Sequence, residues 1–454
     1  MKAKLFLMTI ILFGFNFLNA QSIAGGQSHS VFLCNNKTSM TAGYALAALG
    51  TGTTSNSSPI LVNSLSGITA VAAGFDYSFF LKNDGTVWAC GRNESGKLGD
   101  GTTITRSIPI QVNGLTGIKA VSAFDNYSLF LKNDGTVWAC GNSKAGGFGD
   151  GTSNYLVPIQ ISSLTGVIAI SAGSAGALYL KSDGSVWASG SGSWNGVANT
   201  FTNVPVQVIS LSSIIGIAAG NLTYFFLKND GTVWASGGTF ASLGLGGNGA
   251  STPVQVSPLN GITSIKAGLY HTLFLKNDGT VWACGLNQYG ELGDGTIKDR
   301  NIPVKVNFLT GINSIGLGIQ HSLFLNNDGV VWACGYGTGF GSSSGGTGAV
   351  LNPIQVSGLC SGLLGIEGTK ILNNFRIYPN PANDNITIDC GNTSNIYGYQ
   401  IKITNTLGQE VFHSAMNRQL FNISLSSLTG RGIYFVNIID AQGHTIDVKK
   451  IILQ

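Results

Sequence analysis

Apolar and polar positions alternate along this chain in blocks, and the block order recurs about every 49 residues. One block is a pair of short apolar runs around a polar turn, as in YSFFL (77–81) and VWAC (87–90) flanking NDG (83–85). Another is looser: apolar residues after Pro109 (Ile110, Val112), then IKAVSA at 118–123. Runs of this length, rich in Val, Phe and Trp and bounded by Gly, Asn, Asp and Pro, predict strands. Asp-Gly between two such runs predicts a two-residue hairpin, because both central positions of that turn favour positive φ. Each copy therefore predicts four strands, in the second copy at 78–82, 86–91, 110–112 and 118–123.

Seven copies are countable. KNDGTVWACG occurs at 82–91, 132–141 and 276–285, with variants at 181–190, 228–237 and 326–335 and a worn first copy, CNNKTSMTAG, at 34–43. Six of the seven tryptophans share one repeat position (Trp88, Trp138, Trp187, Trp234, Trp282, Trp332), with Met40 in the first copy. Seven of the ten prolines share another (Pro59, Pro109, Pro158, Pro205, Pro253, Pro303, Pro353). A period of this length predicts a repeat architecture. The strands are apolar on both faces, which requires sheets covered on both sides. Small sheets stacked around an axis meet that requirement when the ring closes. An open solenoid would need polar capping repeats, but the terminal copies keep Val31, Phe32 and Leu33, and Val331, Trp332 and Ala333. The expectation is an all-β chain with a seven-bladed β-propeller over residues 21–360.

Residues 1–20 read as a cleavable secretory signal. Lys2 and Lys4 precede an apolar stretch from Leu5 to Leu18, and Asn19-Ala20 is a small cleavage-type end. The stretch is shorter than the roughly 20 residues of a membrane span. Gln21 rather than cysteine would follow the cut, which argues against a lipid anchor at the new terminus, and no other segment is apolar enough to span a bilayer. The chain is expected outside the cell or on the outer-membrane surface after cleavage near Ala20.

Charge argues against a nucleic-acid partner. Residues 21–370 carry 16 Lys+Arg against 15 Asp+Glu, a net of +1, with no basic run, whereas phosphate binding draws on clustered cations. Cys90, Cys140, Cys284 and Cys334 fill one repeat slot, where two copies have Ser189 and Ser236. Equivalent positions in stacked sheets lie about 10 Å apart, beyond the roughly 7 Å Cα limit for a disulfide, so these four read as small core residues. Cys34 lies in the first copy and Cys360 just after the last, so ring closure could make them neighbours; a Cys34–Cys360 disulfide is the candidate clip, with Cys360–Cys390 the weaker option.

Candidate chemistry is sparse. Asp84, Asp134, Asp183, Asp230, Asp278 and Asp328 form a ring of carboxylates at the hairpin, where Asp bonds its own backbone. Asp100, Asp150 and Asp294 sit in Gly-Asp-Gly-Thr turns. His29, His271 and His321 share a slot that also accepts Tyr77, Tyr127, Thr223 and Gly176, which is no metal-ligand set. There is no calcium-loop spacing, zinc motif, nucleophile elbow or phosphate loop, so neither enzyme nor cofactor nor metal is expected. Function is expected where the repeat breaks, in the segments 190–204, 237–252 and 335–352. Their aromatics Trp194, Phe201, Phe240, Tyr336 and Phe340, with Tyr289 in the polar loop of the sixth copy, are the expected contacts for a protein or glycan.

The string running from Ser-Leu-Phe-Leu-Lys-Asn-Asp-Gly-Thr-Val-Trp-Ala-Cys-Gly through Leu-Gly-Asp-Gly-Thr to the proline strand resembles the regulator of chromosome condensation repeat. The resemblance covers about 340 residues and implies the same seven-bladed propeller. Exchange factors of that family carry an extra wedge in one blade; intervals of 47–50 residues leave no room for one here, so nucleotide exchange is not expected. After a linker at 361–374, residues 375–454 change pattern and predict a β-sandwich of seven short strands, at about 375–378, 386–389, 400–404, 410–413, 421–425, 432–440 and 445–453. YPNPANDNITI (378–388), IKITNTLGQEVF (401–412), LTGRGIYFVNI (428–438) and VKKIILQ (448–454) resemble the C-terminal sorting domain of the type IX secretion system. That resemblance implies export across the outer membrane of a Bacteroidetes-type bacterium, with the secretion machinery as partner of the tail. The expected function is a secreted or surface binding or scaffold propeller. The alternatives are a secreted inhibitor of another enzyme and a surface enzyme acting on polysaccharide.

Overall fold

The computed structural model describes residues 23–359 except 46, 143–153, 195–199, 239–240 and 341–347. It also describes most of 376–453, except 380, 390–398, 406–408, 417, 419, 426–430 and 440–444. The chain divides into two compact units, Met1–Leu364 and Gly365–Gln454.

In the first unit the described residues form seven four-stranded antiparallel sheets, each contiguous in sequence. They span 23–61, 68–111, 118–160, 167–207, 214–255, 262–305 and 312–355, numbered here blades 1 to 7. The innermost strands run around a common axis, each packed on the next, and blade 1 packs on blade 7. The ring is thus closed, with no strand exchanged between its ends among the described residues. Hydrogen bonds between neighbouring turns link the blades, including Gln27 N–H to Phe75 O (2.7 Å) and, across the seam, Ile319 N–H to Gly26 O (3.0 Å).

One expectation shifts by a strand. The run Ile118–Phe124 follows the Pro109 strand in sequence, but it pairs with Tyr127–Lys132 as the innermost strand of blade 3. The innermost strand of blade 2 is Ile68–Ala73, from the preceding copy. The sequence repeat and the sheet are therefore out of phase by one strand.

Local chemistry fixes each strand's place. Strand 2 is buried along almost its whole length, as in Tyr77–Lys82, because both of its faces meet a neighbouring blade. The repeat prolines lie on the outermost strands, where a missing N–H costs no ladder bond and blocks edge pairing. At the bend after strand 3, Gly91 has φ 123° and a Cβ there would lie 2.3 Å from Asp76 O, so only glycine fits where the ladder shifts register. Cys90, Cys140, Cys284 and Cys334 are free and buried, as the slot predicts. Cys34 is disulfide-bonded; Cys360 and Cys390 lie outside the described residues.

The second unit is a sandwich of a three-stranded sheet (Arg376–Tyr378, Asn385–Asp389, Leu420–Ser424) and a four-stranded one (Glu410–Ala415, Gln400–Asn405, Gly432–Ile439, Thr445–Leu453). Alternate residues Ile386, Ile388, Ile401, Ile403, Ile423, Val436 and Ile438 enter one core. The all-β class and both architectures match the sequence reading.

Candidate binding face

Antiparallel order sends the turns between strands 1 and 2 and the long loops between strands 3 and 4 to one face of the propeller. The Asn-Asp-Gly hairpins and the blade-to-blade connections occupy the other. The hairpin aspartates behave as turn residues: Thr86 N–H and Thr86 Oγ1–H both donate to Asp84 Oδ1 (2.9 and 2.6 Å), a pattern repeated at Asp134, Asp183, Asp230 and Asp278. No group of His, Cys, Asp and Glu among the described residues could hold a metal ion.

The long loops are anchored by a recurring clip. A loop carbonyl of one blade accepts a strand-2 hydroxyl and a strand-3 thiol of the next. Ala48 O accepts Ser78 Oγ (2.7 Å) and Cys90 Sγ (3.4 Å), Lys97 O accepts Ser128 and Cys140, Ser242 O accepts Thr272 and Cys284, and Glu291 O accepts Ser322 and Cys334. At three junctions a histidine joins: His29 Nε2 to Ser78 (3.0 Å), His321 Nε2 to Ser30 (2.9 Å) and His271 Nε2 to Ser322 (2.9 Å). Because each serine hydrogen is committed to a carbonyl, Nε2 carries the imidazole proton and donates. Burial without a counter-charge lowers the pKa of His29 to about 4 and of His271 and His321 to about 3. The three histidines are structural, as their mixed slot suggested.

Two of the six expected contact aromatics are core residues, which corrects the sequence reading. Trp194 is fully buried and packs edge-on against Tyr224 (5.0 Å, 85°). It fills the junction of blades 4 and 5, where Tyr224 replaces the clip's hydroxyl residue and Ser236 its thiol. Phe340 is buried beside His321 at the seam. A repeat-breaking segment is as free to plug a gap between blades as to face solvent, and composition alone does not separate the two. Phe240 lies outside the described residues. Phe201 is 59% exposed, on the outermost strand of blade 4.

Tyr289 and Tyr336 meet. The first comes from the long loop of blade 6 and the second from the end of strand 3 in blade 7; their rings are 5.0 Å apart at 61°, both part-exposed. Below them Glu291 accepts Tyr289 N–H (2.8 Å) and is buried, which raises its pKa to about 7. The neighbouring Asp294 is bound by Arg300 (2.7 Å), Thr296 and Asn287, and Asp100 by Arg106 in blade 2; both are loop braces with little carboxylate left for a ligand. Tyr270, exposed on the same face, escaped the sequence reading because it sits in a turn of ordinary length.

Strand registers align one slot across all inner strands: Ala24, Ala72, Ser122, Ser171, Ala218, Lys266 and Gly316. Lys266 is the sole long side chain there, an outlier the repeat alignment exposes only once the inner strand is known.

The RCC1-like domain family matches residues 45–372. The chain belongs to that family. The secretion system C-terminal sorting domain matches residues 376–454, which marks the chain for secretion to the cell surface or beyond. Solved structures share the RCC1-like fold: Prp20p of Saccharomyces cerevisiae has a TM-score of 0.63 at 20% identity, over 77% of this chain and 88% of that one. Human WBSCR16 has a TM-score of 0.59 at 21% identity, over 67% of this chain and 85% of its own. No curated protein matches the chain.

Proposed function

We propose that this RCC1-like propeller is a secreted, non-enzymatic binding module that contacts an extracellular protein or glycan through its long-loop face. The Tyr289–Tyr336 pair carries the reading. Two part-exposed aromatic rings, held edge to face at the junction of two blades, give a rigid amphipathic contact at small entropic cost. Gln288 precedes Tyr289 in the same loop, and Gln320 lies in the adjacent turn, where its carbonyl accepts Tyr336 N–H (2.7 Å). Support also comes from Prp20p, whose structure was described together with its binding to Gsp1p and histones. The braced state of Asp100 and Asp294 supports a binding role over acid–base turnover. The tail supplies export through the type IX machinery, and a Cys34–Cys360 disulfide would tie the first blade to the end of the last.

Tyr289→Ala/Tyr336→Ala should weaken capture on arrays of polysaccharides and isolated surface proteins at least tenfold while the melting temperature stays within about 2 °C. Capture equal to the wild type would place the contact face elsewhere. Release of products from any arrayed glycan would favour the enzyme reading instead.

A further inference from the structure

The axis of the ring is an open channel of about 240 Å³ lined by the innermost strands. Its lining residues are mostly Ala, Gly, Ile and Leu, backbone and hydroxyl groups make much of the exposed wall polar, and Lys266 is the one charged side chain among the described lining residues. No carboxylate of the described residues lies close enough to offset its charge, and no hydrogen bond or ion pair is made to its ammonium. Lys266 is part-exposed into this channel, and a partly desolvated ammonium without a counter-charge is disfavoured, so the channel favours an anion that would supply one.

Two further donors face the same space. Ser122 Oγ accepts the N–H of Ala172 and Ser171 Oγ that of Ala219, both at 2.9 Å. Each hydroxyl accepts from the next blade and keeps its own hydrogen for another acceptor. Toward the long-loop face the lining turns apolar at Phe75, Phe124, Leu269 and Ile319, with the two phenyl rings 5.4 Å apart. Lys266 sits two residues before the turn that carries Leu269. The site therefore has a cationic and hydroxylic wall inside an apolar collar.

We propose that the channel binds a small amphiphilic monoanion, a carboxylate on a short apolar body, with Lys266 and the hydroxyls of Ser122 and Ser171 on the carboxylate and the Phe75–Phe124 collar around the body. A compact hydrated anion such as phosphate or acetate would meet the ammonium but forgo the collar. The volume suits a body of several carbons. Burial lowers the amine's pKa to about 8, and a bound carboxylate would raise it, because an opposite charge favours the ammonium.

The test is calorimetric titration of the full chain with hexanoate, acetate and inorganic phosphate, alongside Lys266→Met. The expected result is saturable one-to-one binding of hexanoate, at least tenfold tighter than acetate or phosphate, and at least tenfold weaker in Lys266→Met. That variant should melt no lower than wild type, since it removes an unpaired charge. The Lys266 amine, followed by NMR after dimethylation and assigned by its absence from Lys266→Met, should titrate near 8 alone and higher with hexanoate. No heat with millimolar hexanoate, equal binding by Lys266→Met, or phosphate binding as tightly as hexanoate would each overturn the proposal.

Discussion

Acidification from pH 7 to pH 5 should lower the unfolding free energy of the propeller by about 3–4 kcal/mol, well before its surface carboxylates titrate. The cause is the histidine clip. His29, His271 and His321 lie at three consecutive junctions, between blades 1 and 2, 6 and 7, and 7 and 1, so they flank the seam. Each Nδ1 is buried without a partner, and protonation would leave a buried donor and a buried charge. Their folded pKa values, about 4, 3 and 3, lie below the unfolded value of about 6.5. The unfolded chain then binds more protons than the folded one between those values. Stability is full above pH 6.5 and falls as pH drops toward 4. At pH 5 each histidine costs about 2 kcal/mol, or about 6 in all.

Glu291 opposes this. Its folded pKa of about 7 exceeds the ordinary carboxyl value, so its contribution is present at low pH and is lost as pH rises through 7. Between pH 7 and 5 it restores about 2 kcal/mol, so the net loss is about 3–4 kcal/mol. Urea unfolding at pH 7, 6 and 5 reads the sum. His321→Gln keeps a donor near the Nε2 position and cannot titrate, so it should flatten the slope by about 1.4 kcal/mol per pH unit. A wild-type stability that holds or rises from pH 7 to 5 would contradict the assignment.

Trp194→Ala should destabilise the propeller by about 3–5 kcal/mol, the usual range for emptying an aromatic site in a core. The indole lies across the backbone at Gly192, edge-on to Tyr224 and among Leu178, Leu180 and Phe226. The junction of blades 4 and 5 lacks the hydroxyl–thiol clip; the Tyr224 hydroxyl donates to Ser191 O (2.5 Å) and the indole fills the remaining space. Its Nε1–H has no partner, and Trp194→Phe should therefore cost no more than about 1.5 kcal/mol, since only volume is lost. Denaturant midpoints of the two variants separate packing from polarity. A loss below 1 kcal/mol for the alanine variant would mean that the ring is not the wedge between the blades.

Blade number, hairpins and the edge prolines were legible because each rests on local chemistry repeated seven times. Asp-Gly demands one turn, and alternating or continuous apolar runs demand sheets. The phase of the repeat was not legible. The connection after the proline strand (113–117) and the turn at 74–76 are both short, so a copy can be cut at either point without changing its pattern. The core thiols were readable from their shared slot, since stacking spacing forbids their pairing. Trp194 and Phe340 were misplaced because whether a loop aromatic turns inward depends on what the adjacent blade lacks, a relation between copies rather than within one. Lys266 was hidden for a related reason: the innermost strand belongs to the axis only once the sheet boundary is known.

That the propeller acts outside the cell underlies every functional statement made for it, and the sorting tail at 376–454 is the basis for that claim. The direct test is protease accessibility on intact cells of a host with a type IX secretion system, comparing the full chain with one ending at residue 375. The full chain should be cleaved at the surface or recovered from the medium, and the truncated chain should stay protected in the periplasm. Equal exposure of both forms, or a full chain that stays protected, would contradict the account.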